Sequence, residues 1–172
     1  MLLGLCFAFA SPAQAQAQRS GFIIGFGLGL GVNGGDEALE LLVNRIIDTK
    51  FGVASDFHIG GVIGSVELFY VNKVIFTGSD FANVVATSVN GVGVAYPLNP
   101  DFAVTGAIGA GLLTVMIGGS TSSSDAGLGL LAGGRYKLNE SGRWMLNFDI
   151  SYANPEDVSI WGFQATINVM SH

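Results

Sequence analysis

Gly21-Phe22-Ile23-Ile24-Gly25-Phe26-Gly27-Leu28-Gly29-Leu30-Gly31-Val32 is the stretch on which the fold turns. Its even positions are all apolar, and its odd positions are all glycine except Ile23. Apolar side chains that recur with period two belong to an extended strand, whose successive residues point to opposite faces; a helix would space them by three and four. One face of this strand is greasy and the other nearly bare.

Later segments repeat the pattern. Gly142 to Tyr152 sets Trp144, Leu146, Phe148, Ile150 and Tyr152 against Arg143, Met145, Asn147, Asp149 and Ser151. Val158 to Val169 sets Trp161, Phe163, Ala165, Ile167 and Val169 against Gly162, Gln164, Thr166 and Asn168. Turn signals between such runs predict about eight strands, near 20–32, 52–62, 65–77, 84–96, 101–117, 126–138, 142–153 and 157–169. Each reaches the ~9–11 residues that a tilted strand needs to cross a bilayer. Short turns at 61–64, 97–100 and 139–141 alternate with connections that include the long segment 33–51 and the Ser/Thr/Gly-rich 118–125. The expected fold is all-β: a transmembrane up-and-down antiparallel β-barrel with both termini at the periplasmic end.

Composition agrees with a protein whose solvent is partly lipid. Apolar residues make up 49% of the chain, charged residues only 12%, and glycine occurs 26 times. A net charge of -6, with seven scattered Lys and Arg, argues against nucleic-acid binding, because phosphate recognition needs clustered cations. The single cysteine, Cys6, excludes an intramolecular disulfide and a thiolate zinc site. It lies in an apolar run ending at Ala10, followed by Ser11-Pro12 and the small-residue series Ala13-Gln14-Ala15-Gln16-Ala17. Residues 1–17 are therefore predicted to be a cleaved signal peptide, and 18–172 the barrel domain.

The two faces differ in chemistry. The apolar face carries aromatics beside the turns: Tyr96, Phe102, Tyr136 and Trp144 toward the expected periplasmic end, and Phe76, Tyr152 and Trp161 toward the outer end. Two such bands are what interfacial girdles require. The opposite face collects Asp56, His58, Glu67, Lys73, Arg135, Lys137 and Asp149 among small residues. Three acids there face three bases, so a paired lumen network is expected, since unpaired buried charge is costly. Segment 33–51 with Asp80, Asp125, Glu156 and Asp157 holds eight acids and two bases, which makes the outer end acidic.

A helical alternative exists, because 102–124 carries no charge and is long enough to span. Five glycines and a Gly-Gly-Ser-Thr-Ser-Ser-Ser tail weaken any helix there, while Phe102, Val104, Ile108 and Leu112 recur at even spacing. The leader, girdle aromatics, alternating strands and glycine-rich lumen positions together resemble the small eight-stranded outer-membrane barrels, the OmpA/OmpX-like superfamily, over roughly 20–169. The resemblance implies a bacterial outer-membrane location, contact with outer-membrane lipid and lipopolysaccharide, and insertion by the barrel-assembly machinery. It also implies a terminal aromatic residue, where this chain ends Ile167-Asn168-Val169-Met170-Ser171-His172.

Three features bear on function. Within 36–50, Leu39, Leu42, Val43, Ile46 and Ile47 line one face at helical spacing, predicting a short helix in the first outer loop that covers the rim or plugs the mouth. Gly25, Gly27, Gly29 and Gly31 lack the offset of a dinucleotide fingerprint, and are expected instead to leave room for Phe69, Lys73 and Arg135. His58 is the one candidate general base, for lipid-modifying chemistry, yet its parity sends it into the lumen. No metal-ligand spacing or cofactor motif appears. A structural or surface-interaction barrel is the expected function, with a narrow conduit or carrier as the alternative and a lipid-modifying enzyme third.

Overall fold

Strand follows strand along the chain: β1 (Gly21–Gly35), β2 (Phe51–Ile63), β3 (Val66–Asp80), β4 (Asn83–Pro97), β5 (Phe102–Ile117), β6 (Ser120–Ser123), β7 (Gly127–Lys137), β8 (Trp144–Asn154) and β9 (Ile160–Ser171). This computed structural model describes residues 21–36, 51–80 and 83–171; the expected leader and the loop segment carrying Leu39, Leu42, Val43, Ile46 and Ile47 lie outside them. Consecutive strands pair antiparallel from β1 to β5, then β5 with β7, β7 with β8 and β8 with β9. β9 returns to β1, from Ile24 opposite Ser171 to Gly35 opposite Ile160. Eight strands thus close a ring, which leaves no barrel edge exposed to another chain.

Turn chemistry sets the lower end, where β1 starts. Ile63 pairs with Val66 across a two-residue turn in which only Gly64 takes positive φ, 68°. That matches a type II′ turn, whose twist suits a hairpin. Between β4 and β5 the Asn99 side-chain oxygen accepts from the N–H groups of Asp101 and Phe102, both at 2.9 Å. Between β7 and β8 the Asn139 side chain accepts from the Trp144 N–H at 3.2 Å, and Gly142 supplies φ 65°. At the upper end Glu156, held at φ 46°, accepts the Asp125 N–H at 3.0 Å and ties two connections together.

The stretch 102–124 is extended, not helical. β5 runs to Ile117, and Gly118 (φ 57°) with Gly119 (φ 87°) turns the chain so that β6 pairs back on it. Two glycines at positive φ make the type I′ geometry that right-twisted strands favour. The Ser/Thr run expected to be loop is therefore a short strand laid against the upper end of β5, whose other edge pairs with β4.

Alternation sorts the residues by face. Phe22, Phe26, Leu28 and Leu30 of β1, Ile150 of β8 and Ile167 of β9 stand exposed outside, while Ile23, Val71, Val85, Ile75 and Met170 are buried inside. A continuous apolar exterior of this extent far exceeds the few hundred Å² that a soluble monomer shows.

Candidate functional site

The lumen is filled from the strands themselves, and it has two sides. Against β3, β4, β5 and β7 lies an apolar cluster including Phe69, Val71, Val85, Val89, Leu113 and Leu131. Against β1, β2, β8 and β9 lie buried polar groups: Asp56, His58, Asn147, Asp149, Gln164, Thr166 and Asn168. Gly25 and Gly27 of β1 leave room for two members of this second layer, His58 and Asn168. A Cβ on Gly25 would overlap His58 and Met170, one on Gly27 the Asn168 amide, and one on Gly31 would crowd Ile75 at 3.0 Å. The occupants differ from the expected Phe69, Lys73 and Arg135. Phe69 instead lies over Gly93, and Arg135 stacks on the Phe69 ring at 5.5 Å.

Lys73 joins the two sides. Its Nζ donates to Asp56 Oδ2 at 2.8 Å and to Asp149 Oδ2 at 2.5 Å, from β3 to β2 and across the lumen to β8. Asn147 donates to the same Asp56 oxygen at 2.7 Å, and His58 Nδ1 lies 3.5 Å from Asp56 Oδ1. Arg135 pairs with Glu67 at 2.5 Å, below the triad. Lys137 is half-buried near Gly142 and forms no ion pair among the described residues. The seven residues therefore divide into a central cluster of Asp56, His58, Lys73 and Asp149, a Glu67–Arg135 pair, and a separate lysine.

Sequence reading passed over several members. Thr87 donates to Asn33 at 2.8 Å above the triad, and Asn168 donates to Thr166 at 2.8 Å beside it. Period-two parity places these residues on the lumen face, but a small neutral side chain, unlike a charge, does not by itself demand a partner. Two lumenal cavities of about 10 Å³ each flank Lys73, one lined by Asp56, His58, Arg135 and Asn147, the other by Ile75, Thr87, Ser151 and Gln164. Each has room for about one water molecule. His58, 1% exposed, is enclosed by Asp56, the Met170 sulfur at 2.7 Å and the Phe69 ring at 6.0 Å.

The aromatic bands stand on the outer wall. Tyr96, Tyr136 and Trp144 are exposed toward the lower end, as are Phe76, Tyr152 and Trp161 toward the upper end. Phe102 is half-buried because its ring lies over Gly134 on β7. Tyr152 and Trp161 face each other across the β8–β9 pair.

A family model described as outer membrane protein beta-barrel domain matches residues 1–170. Solved structures are similar in fold. The neisserial surface protein A crystal structure is 14% identical with TM-score 0.59, over 88% of this chain and 99% of that one. Ail of Yersinia pestis, the attachment invasion locus protein in complex with the heparin analogue sucrose octasulfate, is 12% identical with TM-score 0.60, over 89% and 99%. A de novo designed transmembrane β-barrel is 13% identical with TM-score 0.50, over 91% and 100%. No curated protein matches the chain.

Proposed function

Because the chain belongs to the outer membrane protein beta-barrel domain family, we propose that it resides in a bacterial outer membrane as a closed, non-conducting barrel with a structural or surface-interaction role. The observation that carries this reading is the lumen: Lys73 bridges Asp56 and Asp149 across it, and the cavities on either side hold about 10 Å³ each. Hydrated solutes need a continuous path, and an eight-stranded barrel is narrow enough for side chains to fill. The conduit alternative rests on lumenal Gly and Ala, but neighbouring side chains occupy the space above several of those glycines.

Catalysis is the weakest reading. A general base must reach the proton it removes, and His58 is sealed inside the wall. In the favoured reading the exterior contacts lipid and lipopolysaccharide, and the barrel-assembly machinery inserts the chain. The acidic outer end, eight acids against two bases by sequence, suits a basic partner; it would repel a sulfated sugar such as the one bound in the Yersinia structure.

Liposome swelling tests the proposal. Proteoliposomes in isotonic glycerol or glucose are expected to swell no faster than protein-free liposomes. Swelling well above that control would transfer the assignment to the conduit.

A further inference from the structure

Halfway up the outer wall the apolar pattern breaks. Asn72 stands on β3 and Asn90 opposite it on β4, with Asn90 seven residues from either end of its strand. Asn72 donates to the Asn90 side-chain oxygen, which also accepts from the Tyr70 hydroxyl at 3.5 Å; Asn90 in turn donates to Ser88 at 3.3 Å. These even positions share the outward parity of the exposed Tyr70, Val92 and Val94. Among the described residues the four side chains bond only to one another, and their capacity is not exhausted. Each amide has a second N–H, and the Asn72 carbonyl oxygen has no donor.

Below this quartet lies an open groove of about 650 Å³, walled by Leu68, Tyr70, Val92, Val94 and Ile108 and floored in part by Gly106. A Cβ on Gly106 would come no nearer than 3.7 Å to any atom, so the floor is vacant of side chains. Ala110, paired with Asn90, leaves the flank low as well.

We propose that this β3–β4–β5 face is where two copies of the chain meet within the membrane. The inference rests on the wall being embedded in lipid. Acyl chains offer no hydrogen-bond partner, so amide valences at mid-depth call for another protein. All copies insert in one orientation, so a two-fold axis must run along the membrane normal. A polar group at a given depth then meets its own equivalent at that depth. Amides carry donor and acceptor together, which makes the quartet its own complement, and the Leu68–Tyr70 ridge beside an empty groove gives the shape its counterpart. A lipid occupying the groove would satisfy its apolar walls and leave the second N–H of each amide and the Asn72 carbonyl oxygen without a partner.

The test uses the full chain with Cys6→Ser, so that introduced thiols report alone. Ala110→Cys probes the proposed face, and Ile150→Cys on β8 probes a far side of the ring. Oxidation in isolated membranes is expected to give at least tenfold more disulfide-linked dimer from Ala110→Cys. Asn72→Leu with Asn90→Leu, and separately Gly106→Trp, are each expected to lower that yield at least fivefold. Gly106→Trp fills the groove from a position where a Cβ meets no clash and leaves both asparagines in place, so it decides the matter if the double variant does not fold. Equal linkage from both faces, or linkage unaffected by Gly106→Trp, overturns the proposal; absence of linkage from Ala110→Cys does so too, and leaves lipid as the occupant. Heat-modifiable migration of the same membrane samples reports the embedded barrel independently, so failure of that premise is read separately.

Discussion

Lys73 is one cation between two buried carboxylates, and its replacement shows what the lumen tolerates. Lys73→Met leaves the buried carboxylates of Asp56 and Asp149 without their shared cation, which costs about 3–5 kcal/mol. Urea unfolding in micelles, followed by tryptophan fluorescence, should show that loss, and adding Asp56→Asn with Asp149→Asn should recover most of it. Glycines divide in the same way. Gly27→Val drives a side chain into the Asn168 amide and is expected to destabilise by about 1–3 kcal/mol, whereas Gly106→Ala, with open space before it, should stay within about 0.5 kcal/mol. Period-two parity made the face of Asp56, Lys73 and Asp149 legible in the sequence. Their contacts were not legible, since Lys73 and Asp149 lie 76 residues apart and meet only through the stagger of a closed ring. The same stagger set His58, Met170, Asn168 and Ile75, instead of Phe69, Lys73 and Arg135, over the glycines of β1.

Strands were readable because β1, β8 and β9 alternate without interruption, and turns because glycine and asparagine punctuate them. The β5–β6 hairpin escaped notice because Ser120–Ser123 has the polar composition of a loop, and pairing with the end of β5 overrides it. Its stability depends on Gly118 and Gly119. Replacing both by valine should cost about 1–2 kcal/mol each and raise amide exchange at Ser120–Ser123 more than tenfold, while the β5–β7 ladder keeps its protection. The first outer loop gives a different expectation. A plug supplied by residues 36–49 would make its deletion raise single-channel conductance, but the strands fill the lumen with their own side chains. Conductance in planar bilayers is therefore expected to stay at baseline after the deletion.

For the molecule as a whole, the apolar exterior decides the medium. Purified protein should aggregate in plain buffer and, in micelles, should migrate differently on gels before and after boiling, the mark of a closed barrel that detergent alone does not unfold. The ring also decides when the molecule exists. Ile24 finds its partner in Ser171, at the far end of the polypeptide, so synthesis can deliver seven strands and still no enclosure. A stop codon just before Ile160 would spare every hairpin up to β8 and leave two raw margins facing lipid. In the gene for such a protein, a late nonsense mutation is as damaging as an early one.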